Sequence, residues 1–403
     1  RIRVSQARSY LDWNATSPLR PEAAAAISDA LARAGNPSSV HAEGRAARAI
    51  LERARESVAF LVGAPGANVV FTGSGTEANV TALCPEIVVD GEMVRVDTLF
   101  VSAIEHPSVL SGGRFAAERV RRIPVDGEGL VDIDWLAREL VMEMAEGRRS
   151  LVSVMLANNE TGVVEDVAEI ARVARAAGAF SHCDAVQAAG RMPVAIGMLG
   201  VDFLTLSGHK IGAPAGVGAL VLGNADVAPA PLLVGGGQEL RRRAGTENVA
   251  GIAGFGAAAE AAREAVLYAP RIAGLRDRIA AGIAATTPDA VVFSAGAARL
   301  ANTLCFAAAG LRAETAVIAF DLEGVALSSG SACSSGKVAA SHVLAAMGVP
   351  ADLARAALRV SIGETTEEAD VERFLDAWKK ISPRRRPIDE TLGQDRPAAG
   401  RAA

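Results

Sequence analysis

The segment Phe203-Leu-Thr-Leu-Ser-Gly-His-Lys210 leads from an apolar run into a loop rich in glycine and proline that extends to Gly218. The apolar run predicts a buried strand, which places Lys210 at the strand's carboxyl end. In parallel α/β sheets, ligands bind beyond the carboxyl ends of the strands. A lysine that is desolvated there becomes a nucleophile able to form a Schiff base. Considered alone, an exposed loop lysine is the more common explanation for such a position.

Around this segment, short apolar runs alternate with Ala-rich helical stretches, which indicates βαβ units and a mostly parallel sheet. Strands are predicted at Val69–Thr72, Leu99–Ser102, Leu151–Leu156, Ala179–Cys183, Phe203–Ser207 and Val217–Leu222. Helices are predicted at Ala42–Val62, Asp132–Met144 and Val167–Ala177, and almost throughout Asn248–Ala285. The later elements predict a second, smaller α+β domain. We expect a large domain over 16–262, a small domain from 1–15 and 263–382, and a disordered tail over 383–403.

Composition narrows the classes of function. The 403 residues carry 41 Lys and Arg against 46 Asp and Glu, a net charge of −5, which argues against bulk electrostatic binding of nucleic acid or anionic membranes. No apolar run reaches the ~18 residues of a membrane span. The four cysteines form neither a disulfide framework nor a zinc-binding spacing. We therefore expect a cytoplasmic protein with no metal site.

A second strand ends in a carboxylate, in Ala179-Phe-Ser-His-Cys-Asp184-Ala-Val-Gln187. Beside a bound pyridine ring, Asp184 would keep the ring nitrogen protonated and turn the ring into an electron sink. Asp is also a favoured residue at helix N-termini. The segment alone leaves the two roles equally open.

The segment Val69-Val-Phe-Thr-Gly-Ser-Gly-Thr76-Glu77 carries a strand into a turn of small residues that opens a helix. Free N–H groups at such a helix start can bind a phosphate, and Thr76 would add a hydroxyl. The turn fits neither a Walker loop nor the G-x-G-x-x-G fingerprint, so it is a weak signal alone.

Two further strand ends carry polar residues. His106, in Glu105-His-Pro107, could stack on a planar cofactor and move protons, or could be an ordinary loop histidine. The run Ala157-Asn-Asn159-Glu-Thr-Gly162 supplies amides at the same edge of the predicted sheet, although a plain turn explains it as well.

One cysteine differs from the others in its surroundings. Cys333 lies in Leu327-Ser-Ser-Gly-Ser-Ala-Cys333-Ser-Ser-Gly-Lys337, which predicts a mobile, exposed loop, whereas Cys84, Cys183 and Cys305 sit among apolar residues. A solvent-reachable thiol is a candidate nucleophile, and nearby Lys337 and His342 would favour its thiolate.

Taken together, these segments resemble the cysteine desulfurases, which use pyridoxal 5′-phosphate (PLP) and belong to the aspartate-aminotransferase-like superfamily. The motifs follow in order from Tyr10-Leu-Asp-Trp-Asn-Ala-Thr16 to Leu358-Arg-Val-Ser-Ile-Gly363. Further signatures are Gly35-Asn-Pro-Ser38, Gly235-Gly-Gly-Gln-Glu239 and Arg243-Ala-Gly-Thr-Glu-Asn248, and the short cysteine loop is similar to that of the NifS/IscS-like group. The resemblance implies an α/β fold of type I, with a large domain built on a mostly parallel sheet between helices and a smaller α+β C-terminal domain.

The resemblance also implies roles for individual residues. Lys210 would bind PLP and shuttle the substrate's α-proton, Asp184 would pair with the pyridine nitrogen, and His106 would stack on the ring. The ring oxygen would contact Asn159 and Gln187, and Arg359 would bind the substrate carboxylate. The phosphate would be held by Gly75, Thr76, Ser207 and His209, with Thr246 contributed by the other subunit of a homodimer. Without the resemblance, we would interpret Arg359 as a surface arginine.

The implied reaction converts L-cysteine to L-alanine and leaves the sulfur on Cys333 as a persulfide for an acceptor, such as an iron–sulfur scaffold protein. A selenocysteine lyase would share most of these motifs, a transaminase would not need Cys333, and a non-catalytic relay protein would have lost Lys210 or Asp184. The chain departs from the family pattern at Leu240-Arg241, Ala215, Glu364 and over Cys84–Val96. The acceptor is left open.

Overall fold

Helices and strands alternate along most of the chain, as the sequence pattern predicts. The computed structural model describes residues 8–330 and 341–384. Its strands are β1 Ser9–Tyr10, β2 Val69–Thr72, β3 Glu86–Val89, β4 Glu92–Arg95, β5 Thr98–Ser102, β6 Val120–Ile123, β7 Ser150–Ser153, β8 Phe180–Asp184, β9 Phe203–Ser207, β10 Gly218–Leu222, β11 Val227–Pro229, β12 Val291–Val292, β13 Thr303–Ala307, β14 Val325–Ala326, β15 Ser328–Ser329 and β16 Ala357–Ser361. Its α-helices are α1 Pro21–Leu31, α2 Ala42–Leu61, α3 Gly75–Ala82, α4 Pro107–Leu110, α5 Ile133–Ala145, α6 Val167–Ala176, α7 Ile196–Leu199, α8 Val249–Ala265, α9 Ala269–Thr286, α10 Ala313–Leu322, α11 His342–Ala346, α12 Ala351–Arg355 and α13 Glu368–Ile381.

A seven-stranded sheet with the order β2-β10-β9-β8-β7-β5-β6 forms the centre of the molecule. Neighbouring strands from β9 to β6 run parallel, whereas β10 is antiparallel to both β9 and β2. Strands β2, β5, β7, β9 and β10 are buried throughout, which explains why their sequences are continuous apolar runs rather than alternating ones. The carboxyl ends of the parallel strands therefore share one edge.

Side-chain caps set where several helices begin. Asp132, Asp166 and Asn248 each precede a helix and accept a hydrogen bond from the backbone N–H three residues later. On one face of the sheet, α8 packs closely on α2, because a Cβ at Gly256 would lie only 2.6 Å from the Cα of Ala54. Small residues thus bring these two helices into backbone contact.

A second, four-stranded sheet has the order β12-β13-β16-β15 and is antiparallel throughout. Its core contains five aromatic side chains, including Phe320 and Phe374, whose rings stack with centroids 5.2 Å apart. The edge-to-face contact of Phe306 with Trp378 joins β13 to α13. This α+β unit carries Arg359 on β16, and it agrees with the predicted fold class. The domain limits at residues 15/16 and 262/263 stay predictions.

Residues 84–96, where the chain departs from the family pattern, form a β-hairpin that the sequence pattern did not predict. Strands β3 and β4 pair antiparallel, and β11 adds to β3 on the other side. The predicted strand Leu151–Leu156 is also too long, since β7 ends at Ser153. After that point the backbone turns toward the sheet edge, where Met155 N–H donates to Glu105 Oε1 at 2.5 Å.

Two kinds of feature are absent from residues 8–330 and 341–384. No helix in these ranges is long and apolar enough to cross a membrane. Within the same ranges, no group of three or more His, Cys, Asp or Glu side chains is placed to hold a metal ion.

Candidate functional site

A cavity of about 390 Å³ opens at the edge where the parallel strands end. It is lined by most of the predicted site residues: Gly75, Thr76, His106, Asn159, Asp184, Gln187, Ser207, His209, Lys210 and Arg359. Thr246 is exposed and does not line this cavity within the single chain. The predicted nucleophile Cys333, together with Lys337 and residues 385–403, lies outside the described residues. Sheet topology thus gathers side chains that are far apart in sequence.

The turn after β2 leaves no room for side chains. A Cβ at Gly75 would lie 2.9 Å from Ser207 Cβ, and one at Gly218 would lie 2.5 Å from the carbonyl carbon of Ser74. The eight-residue helix α3 starts at Gly75, with its N-terminus at the cavity. Positive partial charge and free N–H groups at a helix start suit a phosphate. Of the residues predicted there, His209 is half-buried, and burial lowers its pKa to about 4.

Lys210 points its amine toward the N-terminal segment. Its Nζ donates to the backbone carbonyl oxygens of Asn14 at 2.6 Å and Ala15 at 2.7 Å. The side chain of Asn14 is itself held by Thr303 Oγ1 at 2.9 Å, on β13. The sequence motif that contains Asn14 does not by itself assign this residue a role.

Asp184 ends β8 and is 5% exposed. Its Oδ1 accepts from Val186 N–H at 2.9 Å, and its Oδ2 accepts from Asn79 Nδ2 at 2.8 Å. No helix begins at Asp184 in the described chain, where the next one is α7, so the N-cap alternative is wrong. The carboxylate instead lines the cavity.

His106 is fixed at its Nδ1 atom. Nδ1 accepts from Ser108 N–H at 3.1 Å and lies 2.8 Å from Ser108 Oγ, so the ring caps the short helix α4. Burial lowers the pKa of His106, and the opposing charge of Asp184 offsets only part of this effect. A neutral imidazole therefore faces the cavity.

The run that contains Asn159 combines a turn with a site residue. Asn158 makes the turn, because its Oδ1 accepts from the N–H groups of Glu160 at 2.8 Å and Thr161 at 3.0 Å. Asn159 lines the cavity. The two interpretations of this run therefore apply to different residues.

Gln187 is held in one orientation by two neighbours. Its Nε2 donates to Asn14 O at 3.0 Å, and its Oε1 accepts from Arg191 Nη1. Arg191 also donates to Gln187 O at 2.9 Å and to Trp13 O at 3.1 Å. Burial lowers the pKa of Arg191 to about 9. Sequence reasoning missed Arg191, and its place four residues after Gln187 carries no motif.

Arg359 is only 1% exposed, so it is not the surface arginine that its sequence context alone suggested. Its Nη2 pairs with Asp12 Oδ1 at 2.7 Å, and its Nη1 donates to Asn159 O at 2.9 Å. Its Nε is buried without a partner in the described structure. The guanidinium therefore still has a donor for an anion. Asp12 was missed as a partner, since it lies 347 residues away.

Among the described cysteines, Cys84, Cys183 and Cys305 are buried, as their apolar surroundings predict. Burial raises the pKa of the Cys183 and Cys305 thiols, which disfavours their reactive thiolate forms.

Comparison with known proteins agrees with this geometry. The family model for class-V aminotransferases matches residues 9–374. A cysteine desulfurase of Cereibacter sphaeroides is 42% identical over 380 residues, covering 93% of this chain and 95% of the relative. The cysteine desulfurase IscS of Dictyoglomus turgidum is 38% identical over 384 residues, covering 94% of this chain and 95% of the relative.

The chain belongs to the cysteine desulfurase group of the class-V aminotransferase family.

Solved structures agree with the fold. A NifS-like protein from Rickettsia africae superimposes with a TM-score of 0.83 at 34% identity, covering 93% of this chain and 99% of that one. A protein named SspA, solved in complex with cysteine, superimposes with a TM-score of 0.70 at 26% identity, covering 88% of this chain and 99% of that one. The predicted family and type I fold are thus confirmed.

Class-V aminotransferases of this group are PLP-dependent, and the cavity of this member has a matching set of groups. Asp184 presents a buried acceptor for a protonated ring nitrogen, and Lys210 presents an amine. The turn at Gly75 is a cradle that any Cβ would fill, at the start of a helix suited to an anion. The residues present therefore fit PLP.

Proposed function

We propose that the chain is a cysteine desulfurase, which converts L-cysteine to L-alanine and passes the sulfur on through Cys333. The observation that carries the proposal is the convergence of Lys210, Asp184 and Arg359 on one cavity. An amine, a buried carboxylate and a buried guanidinium at a strand edge suit an amino acid bound at a PLP site. The solved complex of the related SspA with cysteine supports this class of substrate.

PLP, when bound, would act as an electron sink for the substrate's α-carbon. Lys210 would hold it covalently, Asp184 would bind its ring nitrogen, and His106 would lie against its ring. Asn159 and Gln187 would contact its ring oxygen, while Gly75, Thr76, Ser207 and His209 would bind its phosphate. Nζ of Lys210 would take the α-proton once it is free of the cofactor. Arg359 would orient the substrate carboxylate, using its unpartnered Nε.

The sulfur transfer itself would use the thiolate of Cys333. The thiolate attacks the substrate's sulfur, and a new S–S bond forms as the substrate's C–S bond breaks. The electron pair of the broken bond stays with the substrate fragment, which takes up one proton at its β-carbon, regains one at its α-carbon and leaves as L-alanine. The enzyme is left with a persulfide on Cys333 that a thiol acceptor can collect.

The proposal includes a homodimer and a sulfur acceptor. Thr246 is exposed on this chain, as a residue that completes the partner's phosphate site would be before assembly. An iron–sulfur scaffold protein is the acceptor we favour, and a cytoplasmic location stays a prediction.

The test is to measure L-alanine and sulfide released from L-cysteine in the presence of a reductant. We expect equimolar products from the wild-type chain, and neither product above background from Lys210→Ala or Cys333→Ser. Lys379→Ala, at an exposed lysine on α13, is the matched control and should keep wild-type rates. Full activity in Cys333→Ser would contradict the sulfur-transfer step, and full activity in Lys210→Ala would contradict the PLP site.

A further inference from the structure

A line of buried polar side chains leads away from Asp184 into the central sheet. His182 lies two residues before Asp184 on β8 and is 1% exposed. It is hydrogen-bonded on both sides, with Nδ1 2.8 Å from Ser153 Oγ on β7 and Nε2 3.2 Å from Thr205 Oγ1 on β9. A histidine held this way between three neighbouring strands has no place in the reaction proposed above.

The line continues from Thr205 to the cofactor side of the sheet. Thr205 Oγ1 lies 2.5 Å from Asn79 Oδ1, and Asn79 Nδ2 lies 2.8 Å from Asp184 Oδ2. Thr205 is fully buried and Asn79 is 1% exposed. Water therefore does not replace these hydrogen-bond partners. Each polar side chain depends on its neighbour in the line for its hydrogen bond.

The Asp184 carboxylate determines which group donates and which accepts in every hydrogen bond of this line. An ionised carboxylate only accepts, so Asn79 turns its NH₂ group to Asp184 and its Oδ1 to Thr205. Thr205 must then donate its single hydroxyl hydrogen to Asn79 Oδ1. Its oxygen can only accept from His182, which requires hydrogen on Nε2. All the donors thus point toward Asp184.

The hydrogen bond between Ser153 and His182, at the end of the line away from Asp184, completes the assignment of donors and acceptors. Burial lowers the pKa of His182 to about 3, so the ring is neutral at ordinary pH and its Nδ1 carries no hydrogen. Ser153 therefore donates to Nδ1. A neutral histidine accepts at one ring nitrogen and donates at the other, as its two neighbours require.

A branch of the same line reaches His106. Asn79 Nδ2 also donates to Ser108 Oγ at 2.9 Å, so the Ser108 hydroxyl is left to donate to His106 Nδ1 at 2.8 Å. Asn79 thus joins the carboxylate beneath the cofactor site to the imidazole that faces it. Both depend on Asn79 keeping one orientation.

We propose that His182 is a positioning residue, which holds Thr205 and Asn79 so that Asp184 and His106 are presented to PLP in fixed orientations. The inference rests on the proposed function, since it assigns the PLP site to this cavity. His182 acts only through Asn79 and makes no contact with the cavity itself.

The first test reads the tautomer of His182 directly, in the wild-type chain, by ¹⁵N NMR of labelled histidine side chains. We expect a protonated Nε2 and an unprotonated Nδ1 in His182. A protonated Nδ1 would overturn the inference, whatever the outcome with variants.

The second test compares PLP affinity and the absorption maximum of bound PLP in wild type, His182→Phe and His182→Gln. We expect His182→Phe to raise the PLP dissociation constant about tenfold and to shift the absorption maximum, because it leaves Thr205 without its donor. Gln can donate to Thr205 in place of Nε2, so His182→Gln should return the dissociation constant to within about threefold of wild type. Ser150→Ala, at a buried hydroxyl of the same sheet without a partner in the described chain, is the control and should bind PLP as wild type does.

The outcomes separate the two proposals. Equal PLP affinity and absorption in His182→Phe and wild type would overturn the positioning role and leave the proposed function standing. A wild-type chain that bound no PLP would overturn the proposed function together with the inference. A variant that loses stability but keeps the wild-type PLP affinity and spectrum would show a merely structural role, and would also overturn the inference.

Discussion

Asp12 Oδ1 lies 2.7 Å from Arg359 Nη2 and joins the N-terminal segment to the second sheet across 347 residues. The guanidinium is 1% exposed, and Asp12 is the carboxylate that neutralises it in the described chain. The second Asp12 oxygen lies 3.4 Å from Ser328 Oγ, just before the segment that contains Cys333. Asp12 therefore connects the buried Arg359 with a residue that precedes the cysteine segment.

Asp12→Asn should lower the free energy of unfolding by about 3 kcal/mol, because it leaves a buried cation without its counter-charge. Urea denaturation of the chain would measure this. Asp321→Asn is the matched control, since it breaks a pair with Arg8 in which both side chains are more than half exposed, and it should change little. Equal effects of the two substitutions would contradict the prediction.

The free energy of unfolding should fall as the pH rises from 4.5 to 7. Burial raises the pKa of both Glu160 and Glu165 from 4.5 to about 7. Between these values the folded chain keeps the protons that the unfolded chain has lost, so rising pH favours unfolding, by about 3 kcal/mol for each group.

Glu160→Gln tests this dependence, because Gln keeps an acceptor for Ser341 Oγ without the charge. Unfolding in urea at pH 5 and pH 8 should show a smaller decline in the variant than in wild type. Glu92→Gln, at an exposed glutamate on β4, should follow the wild-type profile. A Glu160→Gln profile that matched wild type would rule out this source of the decline.

Arg241→Gly should be more stable than Arg241→Ala by about 1 kcal/mol. Arg241 has a φ of +67°, in the left-handed region that glycine enters without steric cost. Thermal unfolding of both variants would measure the difference, and the comparison with Ala separates backbone strain from loss of the side chain. Equal stability of the two would show that the turn carries no strain.

Arg191→Met should destabilise the chain by about 2 kcal/mol, because it leaves Gln187 Oε1 and Trp13 O without donors. Arg191→Lys should recover part of the loss, since one ammonium can replace some of these bonds. Urea denaturation again provides the measurement. Arg172→Met, which removes an exposed pair with Glu169, serves as the control and should leave stability unchanged. An unchanged free energy of unfolding in Arg191→Met would mean that other residues hold Gln187 in its orientation.

Much of the fold and the cavity could be predicted from the sequence, because the signals are local. Strands β2 and β9 begin and end where their apolar runs predict, and Lys210 and Asp184 follow at the carboxyl ends of β9 and β8. The β3–β4 hairpin was missed, since its strands are short and mixed in polarity. The predicted role of Cys333 is untested, because that residue lies outside the described residues.

By itself, the sequence determined which segments form buried strands and which reactive side chains stand at their ends, since these depend on neighbours a few residues away. Only the tertiary structure decided that Asp12 pairs with Arg359, that Arg191 orients Gln187 against the N-terminal segment, and that Asn79 bonds to Asp184 across 105 residues. The physical reason is that a buried polar group takes whichever partner the sheet order and loop paths bring within 3 Å, and no local pattern records that choice.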